Sequence, residues 1–231
     1  MNDTRLLTGH AWIVIPAFRE QGKIGSVVNS VRVSWPNVVV VDDGSNDGTG
    51  QEASTAGAIV LRHMVNLGQG AALQTGITFA LQKGADYIVT FDADGQHNST
   101  EIELLLSTLC SSGADVALGS RFLGKSIGMP ASRRILLRLA TWFTYLTAGL
   151  KTTDAHNGFR AMTRRAAQQI NLRENRMAHA SEIIHEIADH KLSWIEVPVT
   201  ISYTDYSINK GQRVGGAIDI VVELLVRKIR R

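Results

Sequence analysis

Apolar and polar residues form two kinds of block along the first half of the chain. Short runs rich in valine and isoleucine end in polar residues, and longer stretches with apolar residues three or four positions apart separate them. The short runs predict strands and the longer stretches predict helices. The predicted strands cover residues 11–16, 38–41, 58–62, 87–91 and 116–119, and the predicted helices cover residues 23–33, 70–83 and 100–111.

This alternation predicts an α/β fold, Rossmann-like, with a mostly parallel sheet and helices on both of its faces. Ligands of such folds bind at the carboxyl ends of the strands. Four predicted strands end in polar motifs, and their shared edge is stronger evidence for a site than any one motif. The motifs are Pro16-Ala17-Phe18-Arg19-Glu20, Asp42-Asp43-Gly44-Ser45, Asp92-Ala93-Asp94 and Gly119-Ser120-Arg121.

The second half of the chain has a different pattern. A glycine-containing loop is predicted for residues 123–129, and Pro130 and Ser132 then open a long apolar helix. A strand at 159–163, a helix at 181–190, a strand at 194–203 and a basic amphipathic helix at 217–229 follow. We expect one domain over residues 1–231, with an apolar interface-helix region at 123–152 and a basic amphipathic C-terminal helix at 215–231.

The composition is that of an ordinary globular protein, with 44% hydrophobic and 19% charged residues. A net charge of +3 does not indicate a nucleic-acid partner. Basic residues nevertheless cluster late in the chain beside apolar runs, which favours an anionic membrane surface or phosphate groups as a partner. These residues are Arg133, Arg134, Arg138, Arg227, Lys228, Arg230 and Arg231.

Several features bear on where the protein is found. The longest apolar stretch, residues 135–150, is short for a membrane span and contains Arg138. The first ten residues lack the basic and apolar regions of a signal peptide. We therefore expect a cytoplasmic protein, peripherally associated with the cytosolic membrane face. Cys110 is the only cysteine, and its helical surroundings predict a buried thiol.

Asp92 and Asp94 form the most informative motif. In an extended strand they would project to the same side, because side chains alternate. Like charges that close repel, and a cation between them and a ligand would relieve the repulsion. Mg²⁺ and Mn²⁺ prefer such oxygen donors and leave positions for substrate phosphates. The structural alternative is two solvated aspartates in a turn.

Two further strand ends offer binding groups. A carboxylate at Asp42 or Asp43 can accept hydrogen bonds from a base or from a ribose hydroxyl. Asp47 or Thr49 can cap the helix that follows or contact a ligand. Gly68 and Gly70 open another helix, whose N-terminus favours a phosphate group.

Together these residues resemble the family-2 glycosyltransferases of the GT-A fold, and within them the polyprenyl-phosphate (dolichyl-phosphate) sugar synthases. The shared pieces follow the order of that family over about residues 11–203. They are IPAFRE, VVDDGSNDGT, NLGQGAALQTGI, FDADGQH, GSRF, HNGFRAM and EVPVTISY.

The resemblance implies a metal site and a nucleotide site. Asp92, Asp94 and Gln96 match the pattern that holds Mg²⁺ or Mn²⁺ on the donor diphosphate, and Ala93 lies in the same segment. The nucleotide would be cradled by a further set of residues. They are Pro16, Phe18 and Glu20 in the first loop, Asp43 at the base, Gly68 and Gln69 near the phosphates, and Lys210 in a closing loop.

Three positions differ from the family's common pattern. Phe18 stands where tyrosine is common, Arg19 where asparagine is common, and Gln69 where many relatives carry lysine. The neutral amide of Gln69 removes one positive charge near the phosphates.

The acceptor sets the chemistry required. An alcohol needs a general base, whereas a phosphate monoester is already an anion and needs positioning and charge compensation. Arg121, Arg133 and Arg134 would bind an acceptor phosphate, while Trp142 and Phe143 enter the membrane interface. The structural alternative is a helix packed in the core with its arginines in solvent.

Three further residues each have two possible roles. Glu182 lies where relatives carry an acid near the acceptor, and it would act as a base or orient a helix. Arg160 would bind a phosphate or structure the loop before it. His97 would contact a ligand or support the metal motif through a hydrogen bond.

We therefore expect an inverting, metal-dependent glycosyltransferase, with Asp94, Arg121 and Glu182 as its catalytic residues. It would move a sugar from a nucleotide diphosphate sugar to polyprenyl phosphate at the membrane surface. The alternatives are a glycan or lipid-linked hydroxyl acceptor, and a non-catalytic nucleotide-binding membrane adaptor. Because relatives often carry C-terminal membrane helices, we also expect a separate integral-membrane anchor protein. The sugar, the base and the oligomeric state stay open.

Overall fold

A mixed sheet is the centre of the fold in a computed structural model, which describes residues 3–173 and 179–203. The strands are β1 Ala11–Ala17, β2 Val38–Asp42, β3 Ile59–Arg62, β4 Tyr87–Thr90, β5 Val116–Ile127, β6 Arg160–Thr163 and β7 Trp194–Ser202. The helices are α1 Asp3–His10, α2 Ile24–Arg32, α3 Thr49–Thr55, α4 Gln69–Gln82, α5 Glu101–Ser112, α6 Ala131–Ala148, α7 Arg164–Gln169 and α8 His179–Asp189.

The strand order across the sheet is β3-β2-β1-β4-β6-β5-β7. Strands β3, β2, β1 and β4 pair in parallel, as do β5 and β7, while β6 runs antiparallel to both of its neighbours. The predicted α/β fold with a mostly parallel sheet is therefore confirmed. Since β1, β2 and β4 are adjacent and parallel, their carboxyl ends meet at one edge.

Two hydrophobic cores cover the two faces of the sheet. Alternate residues of β1 enter opposite cores, with Ile13 and Ile15 on one side and Trp12 and Val14 on the other. Helices α2 and α5 contribute to the first core, and α4 and α8 contribute to the second. A strand buried on both faces must be apolar throughout, which explains the uninterrupted valine run of β2.

The loop predicted for residues 123–129 is wrong over most of its length. Strand β5 continues to Ile127 and pairs again with β7 from Lys125 onward, after an irregularity that begins at Ser120. Gly124 marks a close approach of two backbones, because a Cβ atom there would collide with Val199 of β7.

The other predicted elements agree in kind and closely in bounds, and α6 begins at Ala131 just after Pro130. Helices α1 and α7 were not predicted. Cys110 is helical but exposed, so the expectation of a buried thiol is wrong. Helix α5 turns Leu105, Leu106 and Leu109 to the core instead. The helix predicted for 217–229 lies outside the described residues.

Over residues 3–173 and 179–203, no helix has both the length and the apolar character needed to span a bilayer.

Candidate active site

The polar motifs predicted to share one edge of the sheet do so. Asp43 follows β2, and Asp92 follows β4 after one intervening residue. Phe18 and Glu20 follow β1, which lies between those two strands. Arg121 lies within the longer β5, three strands from β1.

The acidic motif is not extended, contrary to the prediction. Strand β4 ends at Thr90, and Ala93 and Asp94 form a turn. The alternation of side chains along a strand therefore does not place Asp92 and Asp94. Their proximity comes from the turn, in which the Asp94 carboxylate accepts the backbone N–H of Gln96 at 3.0 Å.

Asp92 is the more strongly held of the two carboxylates. Its Oδ1 accepts a hydrogen bond from Gln69 Nε2 at 3.1 Å, and its Oδ2 lies 2.9 Å from His97 Nε2. Burial by itself would raise the pKa of Asp92, but His97, His179 and Arg160 outweigh it and lower that pKa. The ionised form of Asp92 is therefore stabilised by the groups around it.

Asp94 is in the opposite electrostatic situation. Burial, and then the negative charge of Asp92, raise the pKa of Asp94 to about 6. The charge of Glu20 adds to this effect. A carboxylate that resists ionisation in this way would be stabilised by a bound cation.

The residues fit a divalent cation that is shared with a ligand. Asp92 and Asp94 supply hard oxygen donors, and Gly158 passes so close to Asp92 that a Cβ atom there would collide with the carboxylate. In the described ranges, no three His, Cys, Asp or Glu side chains converge as a metal cage. A cation with only two carboxylate ligands needs other oxygen donors, which a diphosphate can supply.

Asp43 is buried and has several partners within the protein. Its Oδ1 lies 2.7 Å from His63 Nδ1 and accepts the backbone N–H of Leu67 at 2.9 Å. Its Oδ2 accepts the N–H of Gly68 at 2.7 Å. His63 continues to Thr75 Oγ1 on α4 at 2.9 Å. Asp43 thus shapes the loop before α4, and its role at the base stays a prediction.

That loop delivers Gln69 to the metal motif. Gly68 has a φ of +103°, a conformation that favours glycine, and α4 begins at the next residue. Gln69 is therefore placed at the first turn of a 14-residue helix, with its amide on Asp92. The predicted phosphate-binding pair and the predicted metal pair are brought together.

The loop after β1 is tied to the loop after β2. Glu20 is buried, and its N–H donates to Thr49 Oγ1 at 2.8 Å. The N–H of Arg19 donates to Ser45 Oγ at 3.0 Å. Pro16 is buried in β1, whereas Phe18 is half-buried at its end.

Arg121 is buried and paired. Its Nε donates to Asp154 Oδ2 at 2.6 Å, its Nη1 to Tyr203 Oη at 2.6 Å and its Nη2 to the carbonyl oxygen of His156 at 3.1 Å. Burial alone would lower the pKa of Arg121, but the charge of Asp154 outweighs it and raises that pKa. This arginine holds the 154–156 loop to β5 and β7, and its contact with a phosphate stays a prediction.

Helix α6 presents a largely apolar outer face. Ile135, Leu139, Trp142 and Leu146 recur at helical spacing and are each more than half exposed. We call these four residues the α6 apolar face. A helix packed entirely in the core would bury these apolar side chains, and a helix surrounded by water would present polar ones. The exposed apolar face of α6 fits neither case.

The predicted basic residues of α6 differ in environment. Arg133 is half-buried, with its guanidinium 5.1 Å from the ring centroid of Tyr203, the residue whose hydroxyl Arg121 contacts. Arg134 is exposed. Arg121 and Arg133 are therefore brought together through Tyr203. Lys210 lies outside the described residues.

Glu182 is fully buried, and both of its carboxylate oxygens accept the backbone N–H of Arg173 at 3.1 Å. This contact ties α8 to the segment before residue 174. The catalytic role predicted for Glu182 stays a prediction.

Arg160, for which the sequence left two roles open, contacts the loop that precedes it. Arg160 is buried beside Asp92, and its Nη2 donates to the carbonyl oxygens of Ala155 and Ala180. Burial lowers the pKa of Arg160 to about 10. Asp154 and His63 carry no sequence signal beyond being polar residues next to motifs. His97, which lies within FDADGQH, makes the hydrogen bond to the metal motif that was one of its two predicted roles.

Comparisons with known proteins identify the family. A family model described as Glycosyl transferase family 2 matches residues 12–170. UDP-N-acetylglucosamine–dolichyl-phosphate N-acetylglucosaminyltransferase of Methanococcus voltae is 30% identical over 240 residues, covering 94% of this chain and 96% of the relative. Polyprenol monophosphomannose synthase of Mycolicibacterium smegmatis is 28% identical over 235 residues, covering 95% and 88%.

A solved structure has the same fold. Glucosyl-3-phosphoglycerate synthase from Mycobacterium tuberculosis, crystallised with Mn²⁺, uridine diphosphate and glucosyl-3-phosphoglycerate, superposes with a TM-score of 0.76. The alignment covers 97% of this chain and 83% of that chain at 18% sequence identity.

Proposed function

Because this chain belongs to glycosyl transferase family 2, we propose that it transfers one sugar from a nucleotide diphosphate sugar to a polyprenyl phosphate. The reaction would take place at the cytosolic face of a membrane and invert the configuration of the sugar. The observation that carries the proposal is the contact between Gln69, at the start of α4, and Asp92 of the acidic turn. It joins a helix N-terminus that favours phosphate to a carboxylate pair that favours a cation.

The cation would be Mg²⁺ or Mn²⁺, held by Asp92 and Asp94 with Gln96 as a third candidate ligand. When bound, it would supply Lewis-acid neutralisation of the departing diphosphate. The chain's own residues place that diphosphate. The loop organised by Asp43 sets the position of Gly68 and Gln69, and the Glu20 amide ties the first loop to the loop after β2.

The burial and hydrogen bonding of Glu182 favour a phosphate acceptor over an alcohol. An alcohol acceptor needs a general base within hydrogen-bonding reach, and Glu182 is fully buried and engaged with the Arg173 amide. A phosphate monoester needs no such base, because it is already ionised at neutral pH. Arg133 and Arg134 are the guanidinium groups we assign to it, and Arg121 positions the loop beside them.

The names of the two relatives above refer to dolichyl phosphate and to polyprenol monophosphomannose, which are lipids. The lipid chain of such an acceptor would lie in a bilayer. We assign the α6 apolar face to that bilayer. Its four apolar side chains and the adjoining Arg134 and Arg138 have the amphipathic character of an interfacial helix. The integral-membrane anchor protein stays a prediction.

The test is an assay with purified protein, Mn²⁺, polyprenyl phosphate and a panel of nucleotide sugars, read by the mass of the lipid product. The expected product is a polyprenyl phosphate that has gained one sugar, and its anomeric configuration by NMR should be opposite to that of the donor. Polyprenol serves as the matched hydroxyl acceptor. Transfer to polyprenol but not to polyprenyl phosphate would show that the acceptor is a hydroxyl group. No transfer to either acceptor, despite measurable nucleotide binding, would favour a non-catalytic adaptor.

A further inference from the structure

The two carboxylates of the acidic turn are held to different degrees. Both Asp92 oxygens are hydrogen-bonded to side chains, Oδ1 to Gln69 Nε2 at 3.1 Å and Oδ2 to His97 Nε2 at 2.9 Å. The Asp94 carboxylate accepts the backbone N–H of Gln96 through Oδ1. The terminal torsion of an aspartate has only a broad preference, so a carboxylate held by fewer hydrogen bonds is less fixed in its orientation.

His97 also packs against two phenylalanine rings. Its side chain is 3% exposed, and its ring centroid lies 5.4 Å from Phe91 and 5.0 Å from Phe159. The two phenylalanine rings also contact each other at 5.3 Å. Because an ionised carboxylate can only accept, the hydrogen at this contact belongs to Nε2 of His97.

Other groups reinforce the same carboxylate. Arg160 and His179 act on Asp92 electrostatically, and Thr90 Oγ1 donates to the carbonyl oxygen of Gly158 at 2.6 Å. That bond holds Gly158 against the carboxylate, where only a glycine fits. The orientation of Asp92 is therefore set from α4, from the Gly158 loop and from His97.

We propose that His97 is a positioning residue, which fixes the plane of the Asp92 carboxylate so that its remaining lone pairs point to the cation shared with Asp94. The proposal rests on the metal role given to this pair in the proposed function. Side chains that hydrogen-bond a metal ligand commonly change metal affinity 10- to 100-fold when they are removed. His97 would act through Asp92, without contact with substrate.

The experiment compares His97→Met with His97→Gln. The two replacements are similar in length and volume, but only glutamine has an N–H that can reach Asp92. Mn²⁺ binding is measured by electron paramagnetic resonance of free Mn²⁺, with excess uridine diphosphate and again with guanosine diphosphate. We expect the dissociation constant for Mn²⁺ to rise about tenfold in His97→Met and to stay within about threefold of wild type in His97→Gln.

Controls separate positioning from packing. Phe91→Leu loosens the ring cluster without touching the hydrogen bond, and Mn²⁺ affinity should stay within about twofold of wild type. If circular dichroism shows that His97→Met does not fold, His97→Asn replaces it. Its amide is one carbon too short to reach Asp92, so it should show the same loss.

The outcomes are distinct. Equal Mn²⁺ affinity in the glutamine and methionine variants, or an equal loss in Phe91→Leu, would overturn the role of His97. If wild-type protein binds either nucleotide but no Mn²⁺, the metal part of the proposed function fails first, and this inference fails with it.

Discussion

Arg19 has a φ of +55°, in the left-handed region that ordinary side chains seldom adopt. Its backbone is held there because its N–H donates to Ser45 Oγ, which ties the first site loop to the second. Asparagine tolerates this region better than arginine. Asparagine, which the resemblance to the family suggests for this position, would therefore adopt the same backbone with less strain.

We predict that Arg19→Asn raises the free energy of unfolding by about 0.5–1 kcal/mol, because relief of the left-handed strain exceeds the lost contact between the guanidinium and the Phe18 ring. Urea denaturation measures the change. Lys151→Asn, at an exposed position with an ordinary φ, should stay within about 0.5 kcal/mol of wild type. A less stable Arg19→Asn protein would contradict the strain argument.

Asp94 is the carboxylate whose environment calls for a cation. Asp94→Asn should lower kcat/KM about 100-fold or more, since a neutral amide binds a divalent cation weakly. The transfer assay should be run over a range of Mn²⁺ concentrations, with Asp86→Asn as an exposed control. A near-normal rate at every metal concentration would show that the metal assignment is wrong.

Arg121 carries a different expectation from the one its sequence position suggests. Removing it leaves Asp154 buried without its partner, which typically costs about 3–5 kcal/mol. Arg121→Ala should therefore be less stable by about that amount in urea denaturation, and Arg121→Met combined with Asp154→Leu should recover much of the loss. A raised KM for polyprenyl phosphate at unchanged stability would instead support direct contact with the acceptor.

At the scale of elements, α6 is the part whose sequence and surroundings disagree most. Its apolar residues would suit a core helix, yet Leu139 and Trp142 are 58% and 60% exposed. The helix packs on α8 through Thr144, whose hydroxyl lies 3.2 Å from Ser181 Oγ. The sequence pattern could predict the helix, but which face stays uncovered depends on how the rest of the chain folds.

The α6 apolar face should determine membrane binding. Leu139→Gln with Trp142→Gln should reduce co-sedimentation with anionic lipid vesicles about tenfold or more, because each side chain loses roughly 1–2 kcal/mol of apolar burial. Leu104→Gln is the matched control, an exposed leucine on α5. Unchanged vesicle binding by the double variant would rule out this face as the docking surface.

Strand β5 is a second element whose structure depends on a distant segment of the chain. Its first part was predicted from a continuous apolar run, but its extension to Ile127 alternates between half-buried and exposed residues. A glycine in such a segment is typical of a loop when only neighbours in sequence are considered. The pairing with β7, more than 70 positions away, makes it a strand.

At the scale of the whole molecule, buried ionisable groups make stability depend on pH. His156 is one such group, and burial lowers its pKa to about 4. In the unfolded chain its pKa is about 6.5. Between these values the unfolded chain binds a proton that the folded chain does not, so His156 contributes stability above about pH 6.5 that is lost as the pH falls towards 4.

We predict that wild-type protein loses about 2 kcal/mol between pH 7.5 and pH 5 through this histidine. His156→Gln should show a smaller loss over that range, whereas His10→Gln, which changes an exposed histidine, should keep the wild-type dependence. Urea denaturation at both pH values gives the comparison. Parallel pH profiles for wild type and His156→Gln would contradict the assignment.

Most of the strands and helices, the shared edge of the polar motifs and the family could be determined from the sequence, because periodicity and strand-end motifs are local properties. Only the tertiary structure decided which residues of the site form hydrogen bonds with each other. Arg121 meets Asp154 and Tyr203 across 33 and 82 positions, and Asp92 meets Gln69 across 23. No local pattern encodes such partners, since hydrogen bonds and burial depend on which segments the fold brings together.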